Sequence, residues 1–430
     1  MRSPAHSVPR AALPLLCVAL LAWVTTAPAQ GPTVANHRYR LPAGQDAAVA
    51  CHMADLDGDG RADLIRATAN SFGVWLQDGA GAFQPVAVPI LVPTGNPEIV
   101  TITTARVATG KFPDLVVGYR DATVHVYPNA GGKFAAPWVL PPVVVAAPAL
   151  EQVVTGSLDT DPTYDELVLV LNQQWPVLYS RVGVAQFQQT TLNSGPQLRT
   201  PRAVLVDLDN DTDLDLLLVT GDATPTAPAL YLNNSGRGFT LDQLAFGRMQ
   251  VNASVLRAAD VNGNGRMELL LGPLAQAASA IRIVQNTSAT PTTLQYALLN
   301  ITSAFLTVAP RGLAFGDLNG DSYPDVVAMN DDGSVGYGLN AGAAAPGRFG
   351  PMKVLLDAAP RAAMALVDLE PDGDLDLYVV DVGLGDNLLY VNEGTSFAEE
   401  GVARGAAHTP PSGQCQLTYS VSAADVDGDG

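Results

Sequence analysis

Acidic side chains recur at alternating positions of short loops along this chain. In the first loop, residues 55–63, aspartate occupies positions 1, 3, 5 and 9, with glycine at positions 4 and 6. Four further loops keep an oxygen-bearing side chain at positions 1, 3, 5 and 9: residues 207–215, 260–268, 317–325 and 368–376. Glycine permits the tight backbone that turns alternating side chains toward one centre. Each loop is therefore a candidate cation site.

Oxygen ligands that converge in this way suit Ca²⁺. This ion takes about 6–8 oxygens at roughly 2.3–2.6 Å, whereas Mg²⁺ keeps several of its waters. Side chains at positions 1, 3, 5 and 9 and the backbone carbonyl at position 7 would form the coordination shell. On this pattern we expect about four to five bound Ca²⁺ ions. The predicted metal-site residues are Asp55, Asp57, Asp59, Arg61, Asp63, Asp207, Asp209, Asp211, Asp213, Asp215, Asp260, Asn262, Asn264, Arg266, Glu268, Asp317, Asn319, Asp321, Tyr323, Asp325, Asp368, Glu370, Asp372, Asp374 and Asp376.

The loops recur in register, at intervals of about 50 residues. Two degenerate copies, 106–114 and 157–165, fill the gap between the first and second intact loops. We number the loops 1 to 7 by their starts at residues 55, 106, 157, 207, 260, 317 and 368. An eighth loop is expected to start at Asp425, and the last residue of the sequence, Gly430, falls within it. An isolated acidic turn would be weak support for a metal, and a set in register is much stronger.

The loops differ in ligand content. Loops 1, 4 and 7 offer four carboxylates each at the side-chain positions, and loop 6 offers three with Asn319, so we expect these four to be occupied. Loop 5 has asparagine at positions 3 and 5 and should bind more weakly. Loop 2 keeps only Asp114, and loop 3 has Ser157 at position 1, so we expect partial or no occupancy in both.

An EF-hand is the main competing interpretation of such loops. It requires a bidentate acid at position 12 and helices on both sides. Position 12 is Arg66 in loop 1 and Leu218 in loop 4, and no stretch of the chain sustains a helical period. The sequence therefore argues against EF-hands.

Each repeat predicts two β-hairpins. A short apolar run such as Leu167–Leu171 follows each loop and indicates a buried strand. A second alternating segment then ends in a polar residue, a glycine-rich turn and a phenylalanine, as in Tyr231–Phe239. Four strands cannot bury their faces alone, and radial packing of several such sheets solves this problem. We therefore predict an all-β fold, a β-propeller of seven four-stranded blades with an eighth repeat begun and truncated.

The repeats resemble a known family. The run Phe315–Asp321, continued to Asp325, is similar to the FG-GAP and VCBS repeats of integrin α-subunit heads and of many secreted bacterial proteins. The stretch 386–403 is more similar to the repeats of the cartilage acidic protein and ASPIC/UnbV group. The resemblance implies a propeller with calcium on one rim. It does not imply one activity, because such proteins include adhesins, accessory domains and a few enzymes.

The N-terminal residues predict export. Arg2 and Arg10 precede an apolar stretch over 11–24, and Ala27-Pro28-Ala29 offers a small-residue cleavage site. The expected organisation is a signal peptide over 1–29, a lead segment over 30–46, the propeller over 47–416 and the start of the eighth repeat over 417–430. The location would be secreted, extracellular or at the cell surface, with the periplasm an alternative. Cys51 and Cys415 could then form a disulfide or remain free thiols.

Composition and motifs exclude several classes of function. The net charge is −19 and only three residues are lysine, which argues against nucleic-acid binding. Apart from the leader, no apolar run is long enough to predict membrane insertion. Four histidines follow the leader, and none belongs to a triad or metal motif; nucleophile-elbow, HExxH and Walker motifs are absent as well. The sequence predicts no catalytic residue and leaves the question of an enzyme open.

The interpretation that these features favour is a non-catalytic extracellular binding or adhesion module for a protein or a glycan. One alternative is the scaffold of a secreted carbohydrate-active enzyme, such as a polysaccharide lyase or a glycosidase. Another is a structural module of a larger surface protein. Because repeats 2 and 3 are poor in acids, they are the first place where we expect a specialised surface.

Overall fold

The structure is a computed structural model of the chain. The residues that it describes are 16–17, 48–59, 63–68, 71–77, 83–108, 111–145, 147–159, 161–234, 238–253, 256–272, 280–288, 294–302, 310–330, 332–359, 361–367, 375–381, 388–394, 396–399 and 418–420. Within these ranges the chain forms β-strands and one 3-10 turn, Gly342–Ala344, with no α-helix. The all-β prediction is confirmed.

The described residues form seven four-stranded sheets, numbered here as blades 1 to 7, which follow one another along the chain. Blade 1 consists of β2 (Ala48–Ala54), β3 (Asp63–Thr68), β4 (Phe72–Gln77) and β5 (Phe83–Val86), and blade 2 of β6 (Ile99–Ala105), β7 (Asp114–Tyr119), β8 (Val124–Tyr127) and β9 (Trp138–Val139). Blade 3 consists of β10 (Leu150–Gly156), β11 (Glu166–Leu171), β12 (Val177–Gly183) and β13 (Gln186–Thr191). Blade 4 consists of β14 (Arg202–Val206), β15 (Asp215–Val219), β16 (Ala229–Asn233) and β17 (Phe239–Asp242).

Blades 5 to 7 continue the same order. Blade 5 consists of β18 (Leu256–Ala259), β19 (Glu268–Leu271), β20 (Ala280–Asn286) and β21 (Tyr296–Thr302). Blade 6 consists of β22 (Pro310–Gly316), β23 (Asp325–Asn330), β24 (Val335–Gly338) and β25 (Lys353–Leu356). Blade 7 consists of β26 (Arg361–Val367), β27 (Asp376–Asp381), β28 (Leu388–Asn392) and β29 (Phe397–Glu399). A short parallel pair, β1 (Leu16–Cys17) and β30 (Thr418–Ser420), lies outside the seven sheets.

All strands within a blade are antiparallel and pair in chain order. The second strand is the apolar run that follows each loop, and in β7 and β11 every residue is buried. Such burial on both faces requires a neighbour on each side of the sheet. The fourth strand is more exposed, as in β13. First strands of successive blades pack together, β2 with β6, β6 with β10 and β10 with β14, so they lie toward the centre.

The hydrophobic core lies between the blades. Leu167 and Leu169 of blade 3 pack in one cluster with Val116 and Val126 of blade 2. Corresponding clusters join blades 1 and 2, 3 and 4, 4 and 5, 5 and 6, and 6 and 7. Burying one such side chain stabilises the fold by about 1.5–3 kcal/mol. Each blade therefore depends on its neighbours, and the predicted seven-bladed propeller is confirmed.

The ends of the chain are described only in part. Strand β30 packs beside β26 of blade 7, where an eighth repeat is expected, and β1 lies within the expected leader. The lead segment and Cys415 lie outside the described residues, so the disulfide remains a prediction. No helix in the described ranges is both long and apolar enough to cross a membrane.

Candidate metal loops on one rim

The acidic loops all join the first strand of a blade to the second. The residue before each loop pairs across the ladder with the acid that ends it, as in Ala54 with Asp63, Val206 with Asp215 and Gly316 with Asp325. Because the first strands of successive blades lie side by side, this repeated topology places the loops on one rim. The described loops therefore share one surface, as the repeat predicts.

The carboxylate at position 1 organises the loop backbone. Asp317 accepts hydrogen bonds from the backbone N–H groups of Asn319 at 3.2 Å, Gly320 at 2.8 Å, Asp321 at 3.2 Å and Ser322 at 2.6 Å. In loop 4, Asp207 accepts from positions 5 and 6 at 3.3 and 3.0 Å. Position 1 thus folds the loop around itself through the loop's own N–H groups.

Positions 4 and 6 take left-handed backbone conformations. Gly263 and Gly265 of loop 5 have φ of 70° and 76°, which glycine adopts without strain. Loop 4 has Asn210 and Thr212 at these positions, with φ of 61° and 80°. A β-branched residue there costs on the order of 1–3 kcal/mol. The loop geometry is therefore the same whether or not glycine is present.

Carboxylates converge in loops 1 and 4. Oxygen atoms of Asp55, Asp57 and Asp59 lie within 4.8 Å of one another, and those of Asp207, Asp209 and Asp215 do so as well. The structure thus brings together the predicted ligands at positions 1, 3 and 5 in loop 1 and at positions 1, 3 and 9 in loop 4.

Clustering of this kind is electrostatically unfavourable without a cation. Burial, followed by the charge of Asp59, raises the pKa of Asp57. Burial, followed by the charge of Asp211, raises the pKa of Asp209 to about 6. The Asp209 Oδ1 atom is buried and accepts no hydrogen bond within the described part of the chain. A buried carboxylate oxygen that lacks a donor fits a metal ligand.

The acid at position 9 has a second role that the sequence pattern does not show. Asp215 is fully buried and accepts from the N–H groups of Leu208 in its own loop at 2.9 Å and Asn233 on the third strand at 2.8 Å. Burial raises the pKa of Asp215 to about 7. Glu268 in loop 5 and Asp325 in loop 6 accept equivalent bonds. Position 9 therefore ties the loop to its own blade.

In five blades of the described part of the chain, an asparagine at the end of the third strand or two residues beyond it ties the loop of the preceding blade to its own blade. We call it the inter-blade asparagine. Its side-chain amide donates to the carbonyl of loop position 2 in the preceding blade. The pairs are Asn129 with Leu56 at 2.6 Å, Asn233 with Leu158 at 2.9 Å, Asn286 with Leu208 at 3.4 Å, Asn340 with Val261 at 2.6 Å and Asn392 with Leu318 at 2.6 Å.

With this geometry in place, the sequence matches one family model, the FG-GAP-like repeat, at residues 44–106 and 207–271. The chain carries FG-GAP-like repeats. The matched stretches contain loops 1, 4 and 5 and the strand that follows each of them. No curated protein sequence matches this chain.

Solved structures with similar folds confirm the propeller. A lectin from Burkholderia pseudomallei superposes with a TM-score of 0.54 at 14% identity, over 81% of this chain and 98% of the lectin. A lectin from Agrocybe aegerita, described as recognising non-reducing terminal N-acetylglucosamine, gives 0.51 at 18% identity, over 71% and 80%. Sqt1 of Saccharomyces cerevisiae gives 0.51 at 13% identity, over 79% and 83%. At these identities the similarity shows the fold alone.

Loop 3 departs from the register of the other loops by one residue. The repeat spacing predicted Asp165 at position 9, and this was wrong. Glu166 begins β11, is buried and accepts from the N–H of Leu158 at 2.7 Å, as position 9 does elsewhere. The loop is one residue longer, so the second of two adjacent acids faces inward. Burial raises the pKa of Glu166 to about 7.

The displaced Asp165 links blades 2 and 3. It accepts from the backbone N–H of Arg106 at 2.6 Å and forms an ion pair with the Arg106 guanidinium at 3.3 Å. Arg106 is position 1 of loop 2, where other loops have an acid. In blade 3 the third-strand position equivalent to the inter-blade asparagine is Arg181, which lies over the Tyr164 ring at 3.9 Å. This junction therefore has a cationic side chain in place of the usual acid and asparagine.

Loop 2 has no carboxylate at its other ligand positions. Asp114 is buried and accepts from the N–H groups of Val107, Ala108 and Asn129 at 2.8, 2.5 and 2.8 Å. The carboxylate of Asp114 therefore has hydrogen-bond donors from its own blade.

The remaining predicted ligands fall into two groups. Two sets of predicted ligands lie outside the described residues: Arg61 of loop 1 and residues 368–374 of loop 7. Asp376, the last residue of loop 7, begins β27, is buried and accepts a hydrogen bond from the N–H of Asn392 at 2.8 Å. Position 7 residues donate their N–H to position 5, as Asp213 does to Asp211 and Arg266 does to Asn264. Tyr323 donates to Asp321 in the same way, and so does Thr163 to Asp161 in loop 3.

One histidine and two aromatic residues, His125, Trp138 and Tyr337, pack against other aromatic rings of the propeller. His125 is buried with its ring 5.2 Å from Tyr119, and burial lowers its pKa. Trp138 of blade 2 contacts Phe187 of blade 3 with ring centroids 6.2 Å apart. Tyr337 of blade 6 contacts Phe397 of blade 7 at 5.4 Å. Both ring pairs therefore lie between neighbouring blades.

Proposed function

We propose that this chain is a secreted calcium-binding propeller that acts as a non-catalytic binding module for an extracellular protein or glycan. The observation that carries the proposal is the convergence of carboxylate oxygens in loops 1 and 4. Loops 1, 4, 6 and 7 bind Ca²⁺ most tightly, loop 5 binds more weakly, and loops 2 and 3 bind none or little.

The donor set supports calcium over other cations. All side-chain donors at the converging positions are oxygens, with neither histidine nor cysteine among them, and this favours a hard ion. Burial, followed by neighbouring negative charge, raises the pKa values of Asp57 and Asp209, and bound Ca²⁺ offsets both effects. It also gives a partner to the buried Oδ1 of Asp209. Calcium modules outside the cell bind with Kd on the order of 10⁻⁴ to 10⁻³ M, which suits export.

The fold supports a binding role. Radially packed sheets hold the loops of both faces on a rigid frame, and binding surfaces form on such loops. Two of the structurally similar propellers are lectins, one of which is described as recognising a sugar. Calcium fixes the rim that carries loops 1, 4 and 6, and the face at the other end of the strands is available to a partner.

Calcium titration with thermal unfolding tests the proposal. Removal of metal by EDTA should lower the melting temperature by several degrees, and Ca²⁺ should restore it while Mg²⁺ restores it poorly. Calorimetry should find about four to five sites with Kd on the order of 10⁻⁴ to 10⁻³ M. A melting temperature that EDTA and Ca²⁺ leave unchanged would falsify the calcium part. A glycan array and an extracellular-protein array test the binding part, which fails if neither gives a saturable ligand.

A further inference from the structure

A cavity of about 340 Å³ lies among the first strands of blades 2, 3 and 4. It is lined by Glu98, Ile99, Arg120, Leu150, Glu151 and Arg202. These residues lie at or beside the starts of β6, β10 and β14, whereas the acidic loops follow the ends of the same strands. The cavity therefore lies on the face of the propeller opposite the metal loops, and calcium is not one of its components.

Backbone and side-chain hydrogen bonds fix the walls of this cavity. Arg120 donates its N–H to the carbonyl of Glu98 at 2.8 Å and accepts from the N–H of Leu150 at 2.9 Å, which links blades 2 and 3. The Gln152 side chain accepts from the N–H of Ala203 at 3.2 Å and donates to its carbonyl at 3.4 Å, which links blades 3 and 4. The backbone that carries the lining residues is thus held in place before any ligand arrives, and this lowers the entropic cost of binding.

The polar lining consists of charged groups whose charges cancel. Glu98 and Arg120 form an ion pair with 3.0 Å between Oε2 and Nε, and both side chains remain more than half exposed. Glu151 and Arg202 add one further charge of each sign. The local sum is zero, in a protein whose net charge is −19. Ile99 and Leu150 are buried and provide the apolar part of the lining.

We propose that this cavity binds a neutral saccharide of one or two residues. Carboxylates offer two acceptor oxygens and guanidinium groups offer parallel N–H donors, and both arrangements match the spacing of adjacent sugar hydroxyls. A cancelled local charge gives no net attraction for an ion, and the acidic surface repels polyanions. The volume is at the small end of ligand sites, which run from about 300 to 1,000 Å³. The inference rests on the proposed binding function and names its ligand class and place.

The experiment measures saccharide binding by calorimetry and by ligand-observed NMR on the full chain with Ca²⁺. The panel contains neutral hexoses, N-acetylhexosamines and their disaccharides, with uronic acids for comparison. The variants are Glu151→Gln and Arg202→Met. The matched controls are Glu393→Gln and Arg248→Met, which change exposed residues that do not line the cavity. Melting curves of all four variants establish that they fold. Because Arg202 also donates to the carbonyls of Thr200 and Pro201 at 3.4 Å, Glu151→Gln is the decisive variant.

The expected result is saturable binding of a neutral saccharide that weakens about tenfold or more in Glu151→Gln and stays unchanged in Glu393→Gln, as loss of a hydrogen bond to a charged group predicts. Calcium titrations of all variants should match those of the unmodified chain. Equal binding by Glu151→Gln and the unmodified chain would overturn the site and leave the binding function standing. Binding of uronic acids alone, or of no saccharide in the panel, would also overturn the saccharide site. The calcium titrations and the protein array test the proposed function separately.

Discussion

The side-chain amide of Asn340 in blade 6 donates to the backbone carbonyl of Val261 in blade 5 at 2.6 Å. The N–H of Val261 in turn donates to the carboxylate of Glu268 at 3.0 Å. Position 2 of loop 5 is therefore held on one side by its own blade and on the other side by the next. The same arrangement joins Leu208 to Asp215 and Asn286. Loop conformation and blade packing are consequently coupled.

Replacement of an inter-blade asparagine should destabilise the propeller. In Asn233→Ala the carbonyls of Leu158 and Leu214 lose their amide donor. A buried acceptor without a partner costs about 1–3 kcal/mol, and urea unfolding should show a loss of this size. The neighbouring Asn234→Ala removes an exposed amide and serves as the control. Equal stability of the two variants would contradict the coupling.

Replacement of a converging carboxylate should have opposite effects with and without calcium. Asp209→Asn removes one negative charge from the cluster of loop 4. We expect calcium affinity at one site to fall about tenfold, because ligand charge tunes affinity in such loops. In EDTA the variant should melt higher than the unmodified chain, since like charges no longer repel. Asp357→Asn, at an exposed position in blade 6, should change neither quantity. A lower melting temperature in EDTA would argue against crowding of charge.

Stability of the calcium-free protein should fall as the pH rises toward neutrality. Burial raises the pKa of Glu166 from its ordinary value of 4.5 to about 7. The folded state then favours the protonated carboxyl, so this contribution is complete below about pH 4.5 and is lost as the pH rises through about 7. Asp215, Glu268 and Asp325 shift in the same direction.

The measurement is the free energy of unfolding in EDTA at pH 5 and at pH 8. Glu166→Gln should reduce the difference by on the order of 1–3 kcal/mol, because the amide does not titrate. Glu151→Gln, at a partly exposed glutamate of the same blade, is the control. A difference that Glu166→Gln leaves unchanged would show that the buried acid does not titrate in this range.

The junction of blades 2 and 3 should not respond to calcium. Arg106→Ala removes the ion pair with Asp165, whose side chains are 44% and 14% exposed. A partly exposed pair contributes about 0.2–1 kcal/mol, and the loss should be the same in EDTA and in Ca²⁺. Asp209→Asn, whose effect changes sign with calcium, is the contrasting case. A calcium-dependent effect of Arg106→Ala would place a cation at this junction.

The repeated register predicts much of this fold. Apolar runs such as Leu167–Leu171 become central strands, and the blade number follows from the loop starts. The choice between Asp165 and Glu166 could not be made from spacing, because adjacent acids are equivalent until the loop length is known. The partner of Asn340 lies 79 residues earlier, so no local pattern reveals it. The saccharide cavity combines residues of three blades, and each is unremarkable in its own repeat.

The sequence separation between each inter-blade asparagine and the carbonyl that it binds also determines how early their hydrogen bond can form during synthesis. The five pairs span 73 to 79 residues. During synthesis at about 5–20 residues per second, the asparagine that completes a loop is made roughly 4 to 16 s after that loop. Each of these five loops is therefore completed only after the next blade has been made. An interruption of synthesis would leave the most recent loop without its partner.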